Sequence, residues 1–444
     1  MVSPAREWAL QLLLDIELGG SFANLALNKL PVSLSERDRR LVTELVNGTT
    51  RMRRTLDSVL DQVLTKPGRT LKPTVRNILR LGAYQLLFLQ RIPARAAIFE
   101  AVAAARRCDH GGAAKLTNAV LRRISGLSLD DFNWSSNPIQ RIGERWSYPD
   151  WIIEVWAREY DLATAQALAE AQNRPPPFSL RTNVRKLSRE TLIEHLAAAG
   201  VRAQPSIVAP EGISLAAFPA VSRLPGYRDG WWYVQGESAM LASRVVAPQA
   251  GEVIADIGAG PGGKATHLAE LMGDAGRVLA IEPNGSRLAL VKENARRLGI
   301  LSIQLLQQPG QANLPSLVDR ALVDAPCSGL GTLYRKADSR WRSLPTQLAE
   351  LADLQLQLLE AIATCIKPGG ILVYTTCTIS RKENQEVVNT FLARQPQFRT
   401  SDLQFALPAQ WQHDTADGMM QILPSRHGTE GFFIARFRKA TVST

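Results

Sequence analysis

Two cysteines close apolar runs of the kind that form buried strands. Cys327 ends Leu322-Val323-Asp324-Ala325-Pro326-Cys327, and Cys377 ends Leu372-Val373-Tyr374-Thr375-Thr376-Cys377. Such runs read as parallel strands, and in open α/β sheets ligands collect beyond the carboxyl ends of those strands. A glycine-rich turn, Gly258-Ala259-Gly260-Pro261-Gly262-Gly263-Lys264, precedes both cysteines. A turn of this type between strand and helix lets the backbone approach a ligand closely. Glu282 lies 20 residues beyond Gly262, where a Rossmann-like fold hydrogen-bonds ribose hydroxyls. The spacing serves a dinucleotide or S-adenosylmethionine equally well; a structural turn with a surface glutamate is the inert alternative.

The thiol pair separates the two ligands. Hydride transfer has no use for it, whereas methylation of carbon 5 of a pyrimidine does. That carbon is a poor nucleophile until a thiolate adds to C6, and the C5 proton must then leave before the thiol is eliminated. A second acid/base group near the first thiol suits the last step. Asp324, three residues before Cys327, can hydrogen-bond the pyrimidine edge as it gains electron density. Cys108 and Cys365 have no metal spacing and read as small buried apolar residues. The five histidines form no motif, and His267 reads as packing.

These residues need a scaffold. From about residue 234 strands and helices alternate: strands over 253–257, 278–282, 303–306, 320–324 and 371–374, helices over 264–272, 286–298 and 345–366. That rhythm predicts a doubly wound α/β sheet, with 432–437 as a closing strand that pairs antiparallel. Residues 1–145 carry helical periodicity and no β alternation, with Ser35 as an N-cap three residues before Asp38, so they predict an all-helical bundle. Between them, a strand over 178–183, a helix over 188–199 and short strands over 201–209 and 213–215 predict a small α+β insert with one or two helices. The expected division is 1–140, 141–232 and 233–440.

A chain of 444 residues exceeds one ordinary core. Its net charge of +11 is uneven, because residues 1–145 hold 22 Lys+Arg against 13 Asp+Glu. A polyanionic partner docking on that third explains the excess, and a solvated surface explains it as well. Arg51, Arg53, Arg54, Arg76, Arg80, Arg106, Arg107, Arg122 and Arg123 lie along its helices and could share one face. No apolar stretch approaches the roughly 20 residues that span a bilayer, and acidic residues interrupt the N-terminal apolar stretch. A cytoplasmic protein without membrane or metal is expected.

Jointly, Gly260-Pro261-Gly262-Gly263-Lys264, Asp324-Ala325-Pro326-Cys327-Ser328-Gly329 and Thr375-Thr376-Cys377-Thr378 resemble the motifs of the RNA 5-methylcytosine methyltransferases of the NOL1/NOP2/Sun group. The run from Arg335 to Trp341 and the pair Glu383-Asn384 add to the likeness. The stretch 178–183 is similar to the family's pre-catalytic RNA-binding insert, and the helical third to a NusB-like RNA-binding domain. The three-part order resembles the family's bacterial members that act on small-subunit 16S rRNA. The resemblance implies a multidomain protein, with an all-α NusB-like domain, an α+β insert and a Rossmann-like S-adenosylmethionine-dependent methyltransferase domain. It implies Cys377 as the nucleophile on C6, Cys327 as the residue that helps release product, and a monomer whose partner is RNA. Gly258 through Lys264 would line the methionine and sulfonium region, Glu282 the ribose, and Asp324 the cofactor–substrate junction. Lys264 would orient Asp324 or the base.

Three positions depart from the family. Glu282 stands for the usual Asp. Gln308 falls where an Asp normally meets the adenine amine, and would offer it an amide oxygen. Ala337 replaces a Pro. Trp341 is a candidate for stacking on flipped-out bases. The same chemistry on tRNA, and a non-catalytic RNA-binding factor with a degenerate cofactor fold, are the competing readings; a nicotinamide oxidoreductase gives the thiols no role.

Overall fold

A computed structural model describes residues 2–108, 112–174, 178–216, 221, 224–336 and 338–441; Ala337 lies outside them. The chain forms two compact units, Met1–Arg174 with Leu333–Ser343, and Pro175–Thr332 with Leu344–Thr444.

The first unit is helical: α1 (Pro4–Glu17), α2 (Ala23–Leu27), α3 (Glu36–Arg51), α4 (Arg53–Val63), α5 (Pro73–Phe88), α6 (Ala94–Cys108), α7 (Gly112–Ile124), α8 (Pro138–Trp146), α9 (Asp150–Glu159) and α10 (Leu162–Ala171). Ser35 caps α3 as expected, its Oγ accepting from the Asp38 N–H at 3.1 Å. Pro138 opens α8 at a first-turn position and Pro149 is the N-cap of α9, so these prolines start helices. Residues 141–232 consequently hold more helix than the one or two expected. Leu12, Leu45, Leu56, Leu79 and Leu121 are buried in one core. Each contributes on the order of 1.5–3 kcal/mol relative to exposure.

Much of this unit's positive charge is internal. Arg80 donates from Nε and Nη2 to both carboxylate oxygens of Asp57 at 2.6 and 2.7 Å, and from Nη1 to Glu17 at 3.2 Å. Arg76 reaches the same Glu17 at 2.6 Å, and Arg54 reaches Asp150 at 2.6 Å. The nine arginines therefore do not share one basic face. Leu333–Ser343 belongs to this unit through Arg340, which is wholly buried. Its Nη1 donates to Ser147 O at 3.0 Å and Asn173 Oδ1 at 2.9 Å, and its guanidinium lies 4.0 Å from the Tyr148 ring centre. Trp341 donates its indole N–H to Thr50 O at 2.7 Å, and Arg53 lies 4.4 Å over its ring. A tryptophan so engaged anchors the segment, which corrects its reading as a base-stacking platform. Cys108 is exposed and Cys365 half-buried, so neither is the buried apolar residue expected.

The second unit holds two sheets. The smaller comprises β1 (Phe178–Thr182), β2 (Ala203–Pro205), β3 (Gly212–Leu215) and β4 (Trp232–Val234), antiparallel in the order β2-β3-β1-β4, with α11 (Arg189–Ala198) packed on it. The larger follows α12 (Glu237–Val246) and runs β5 (Val253–Ile257), α13 (Gly263–Leu271), β6 (Arg277–Ile281), α14 (Gly285–Leu298), β7 (Ile303–Leu306) and β8 (Val318–Asp324). The short α15 (Ser339–Arg342) lies in the helical unit. Then come α16 (Gln347–Cys365), β9 (Ile366–Thr376), α17 (Gln385–Arg394), β10 (Phe398–Thr400), β11 (Thr415–Ala416), β12 (Met419–Ile422), α18 (Pro424–His427) and β13 (Phe432–Lys439).

The sheet order is β11-β12-β13-β9-β8-β5-β6-β7, with β10 on β13. Strands β9 to β7 are parallel, and β13 pairs antiparallel with β9, as the sequence pattern requires. Side chains alternate across the sheet. Ile254, Val278 and Leu322 face α12, α13 and α14, while Ala255, Leu279 and Val323 face α16 and α17. This is the expected Rossmann-like doubly wound architecture. Among the described residues no helix is long and apolar enough to cross a membrane.

Candidate active site

The strand order reverses between β5 and β8, with β6 and β7 on one side and β8 and β9 on the other. Such a switch point opens a crevice at the carboxyl ends of the strands. Register places Ile257 beside Val323, and Asp324 beside Thr375. The glycine turn after β5, Asp324 at the end of β8 with Cys327 beyond it, and Cys377 after β9 therefore share one edge.

The turn is tight because its glycines permit it. Gly258 has φ +79°, and a Cβ there would sit 2.5 Å from the carbonyl oxygen of Asp324. Its N–H and that of Ala259 both donate to Ile281 O, at 3.0 and 3.1 Å. Gly260 donates its N–H to Glu282 Oε2 at 3.2 Å, and the Gly260–Pro261 peptide is cis. Gly262, at φ +108°, opens α13, and Thr266 Oγ1 donates to its carbonyl at 2.6 Å. The Gly263 carbonyl accepts from Arg181, a fully buried β1 residue whose guanidinium also makes two 2.9 Å bonds to Glu270. Glu282 is buried, accepts from the Asn284 N–H at 3.0 Å and has Arg287 Nη1 at 3.4 Å. Gln308 lies two residues beyond β7, whose Leu306 pairs with Ile281, and its amide donates to Asn313 O at 3.3 Å.

Lys264 Nζ donates to Asp324 Oδ2 at 2.7 Å, while Thr375 Oγ1 donates to Asp324 Oδ1 at 3.2 Å. Burial works against the Lys264 cation, but Asp324, Asp256 and Cys377 outweigh it and hold its pKa above the ordinary value. Asp256, at the end of β5, is completely buried and neither carboxylate oxygen has a hydrogen-bond partner. Burial, reinforced by Asp324 and Glu282 against the pull of Lys264, pushes its carboxyl up to about 8.

The two thiols meet: Cys327 Sγ and Cys377 Sγ are 3.2 Å apart and form no disulfide. Their surroundings differ in sign. Lys264 interacts favourably with a Cys377 thiolate. The Cys327 thiol is raised well above its usual value by its hydrogen bond to Cys377, then by burial and the negative charge of Cys377 and Glu383. These surroundings favour a protonated thiol at 327.

Sequence reasoning left Asp256, Thr375, Arg181 and Arg287 without a role, and named Glu383 only as part of a motif. Their partners come from distant segments, which no local spacing announces. His267 is packing, as expected: it is buried with Nε2 2.9 Å from Glu211 Oε1.

A doubly wound sheet with this turn, acid and thiol pair at its switch point defines the molecule as a Rossmann-like methyltransferase. Residues 243–438 match the model described as 16S rRNA methyltransferase RsmB/F, residues 3–126 the NusB family, and residues 148–222 the RsmF/B-like ferredoxin-like domain. The chain is 38% identical to the probable ribosomal RNA small subunit methyltransferase B of Synechocystis, over 98% of this chain and 99% of that protein. The Bacillus subtilis protein of the same description is 37% identical over 98% of each. The crystal structure of PH0851 superposes with a TM-score of 0.79 at 26% identity, over 99% of this chain and 100% of the other. The chain belongs to the 16S rRNA methyltransferase RsmB/F family.

Proposed function

We propose that the protein transfers a methyl group from S-adenosylmethionine to carbon 5 of a cytosine in 16S rRNA, through a covalent bond between Cys377 and C6. The observation that carries this is the pair of thiols 3.2 Å apart at the sheet edge, one beside Lys264 and the other beside Glu383. A dehydrogenase or a purely RNA-binding protein has no use for that polarity.

The residues present fit the cofactor. Gly258 and Gly260 leave bare backbone where a Cβ would collide, and the orphaned carboxyl of Asp256 stands among Lys264, Asp324 and Glu282. Gly258 through Lys264 would hold the methionine portion, Glu282 the ribose, Gln308 the adenine amine and Asp324 the junction with substrate. Bound there, S-adenosylmethionine supplies an electrophilic methyl on its sulfonium. Cys377 adds as thiolate to C6, and its electron pair makes C5 nucleophilic while Asp324 hydrogen-bonds the pyrimidine edge. After methylation the C5 proton leaves, C5=C6 re-forms and the C6–S bond breaks, with Cys327 the acid/base group nearest the departing sulfur.

We assign residues 1–140 and 141–232 to RNA binding and 233–440 to catalysis, in a cytoplasmic monomer. The test is incubation with labelled S-adenosylmethionine and either undermodified 30S rRNA or tRNA, followed by mapping of 5-methylcytosine. Label in 16S rRNA is expected; label confined to tRNA changes the substrate, and label in neither removes the enzyme reading.

A further inference from the structure

Cys327 and Cys377 are 50 residues apart in the chain, and one buried carboxylate fastens their loops together. Glu383 is completely buried. Its Oε1 accepts from the Ser328 N–H at 2.8 Å and from Gln355 Nε2 at 3.1 Å. Its Oε2 accepts from the Ser328 hydroxyl and, at 3.1 Å, from the Thr378 hydroxyl. Ser328 directly follows Cys327, and Thr378 directly follows Cys377. The supports are themselves supported: Gln355 Nε2 also donates to Pro326 O at 2.9 Å, and the Tyr374 hydroxyl donates to Glu383 O at 2.6 Å.

The Ser328 N–H and the Gln355 amide are fixed donors to the carboxylate, and the Ser328 and Thr378 hydroxyls, 2.8 Å from each other, complete its shell. Burial pushes the Glu383 carboxyl up, and the hydrogen bonds from Ser328, Gln355 and Thr378 oppose that rise. Burying such a charge costs stability even when it is hydrogen-bonded, so structure alone does not explain its placement. Its charge falls on the Cys327 side of the thiol pair, while the cation of Lys264 serves the Cys377 side. Cys377, Glu383 and Tyr374 are the titratable groups that face Cys327.

Resting on the reading of the site as a cytosine-C5 methyltransferase, we infer that Glu383 is a positioning residue for product release. It holds the Cys327 thiol against the Cys377 sulfur and keeps it in the S–H form. In the elimination, the C6–S bond breaks and its electron pair returns to Cys377, which takes the proton of Cys327. The Cys327 thiolate so formed takes the C5 proton, and the C5–H pair becomes the C5=C6 bond. Both cysteines end as thiols, and Cys327 returns to the state that the neighbouring carboxylate favours.

The test uses full-length protein, undermodified 30S rRNA and labelled S-adenosylmethionine. Glu383→Gln is expected to form the protein–RNA adduct in a single turnover at nearly the wild-type rate. Turnover should fall by about 100-fold, the lower range for a lost acid/base function. The adduct should accumulate as a slow band in denaturing gels, with KM for S-adenosylmethionine unchanged. Glu383→Asp keeps the charge and should recover part of the turnover. A merely structural role would slow adduct formation and release alike, or raise KM, with Asp no better than Gln; either result overturns the inference. Should Glu383→Gln fail to fold, Ser328→Ala removes one arm alone and must also accumulate adduct, and its failure to do so overturns the inference equally. Wild-type protein that methylates no RNA removes the underlying reading, whereas active wild type with no adduct in the variants removes only the role of Glu383.

Discussion

At the scale of single residues, the site is organised by charge. Lys264 sits beside Asp324 on the Cys377 side, while the hydrogen bond to Cys377, burial, and the negative charge of Cys377 and Glu383 raise the Cys327 thiol. Cys377→Ala should therefore abolish methyl transfer and adduct alike. Cys327→Ala should form the bond to C6 and stall there, giving a gel-stable protein–RNA adduct; an adduct in the Cys377 variant instead would reverse the two roles. Asp256 allows a pH prediction on the protein without cofactor. Its folded pKa, about 8, is raised above the unfolded value of about 3.9. The native state therefore keeps a proton that the unfolded chain gives up. Stability that is fully present below about pH 4 is lost as pH rises toward 8. Asp256→Asn removes this pH dependence, so its Tm should exceed that of wild type at pH 8, with the gap closing as pH falls toward 4. A gap independent of pH would show that the buried acid is already ionised.

At the scale of elements, the glycine turn fixes how closely β5 and α13 bring backbone to β8. Gly258→Ala puts a Cβ into the left-handed region, which costs about 1–2 kcal/mol, and within 2.5 Å of Asp324 O. That strain is present with or without cofactor, so a loss of about 1–2 kcal/mol in unfolding free energy, read by denaturant titration, is expected. Unchanged stability would mean that the turn relaxes away from β8. This turn was legible in the sequence because strand, glycines and helix are contiguous, as were the cap at Ser35 and the strand-end cysteines. The helices α8 and α9 were not, since tryptophans and prolines around 133–151 imitate a linker and only tertiary packing shows otherwise. The clamp at Glu383 was illegible for a different reason. Its donors come from Ser328, Gln355 and Thr378, on three segments that only the folded sheet brings together. Trp341 was misread because its partners, Thr50 and Arg53, lie some 290 residues earlier.

At the scale of the whole molecule, the excess of positive charge means less than its count suggests. Arg54, Arg76 and Arg80 are bound to Asp150, Glu17 and Asp57 inside the helical unit, so they are neutralised before any polyanion arrives. The cations that stay exposed are spread over several elements, Arg37, Lys66, Arg69, Lys72 and Arg141 among them, and one group of them, Arg91, Arg95, Arg106, Lys115 and Arg122, lies on α6, α7 and their flanks. On α6 the exposed Phe99 stands four residues after Arg95 and seven before Arg106, so the three share one helical face. Cations interleaved with an exposed ring suit a single-stranded backbone with bases to stack. Under the proposed rRNA activity, the double variant Arg106→Glu with Lys115→Glu should weaken RNA binding about equally for all sequences. It should reduce the slope of log affinity against log salt by about 0.7–0.9 for each phosphate that is no longer neutralised. S-adenosylmethionine affinity, measured on the same protein, should not move, because the substitutions lie in the helical unit and the cofactor residues in the other. A salt slope equal to that of wild type would mean that the α6–α7 face is only solvated, and that the RNA docks elsewhere on the chain.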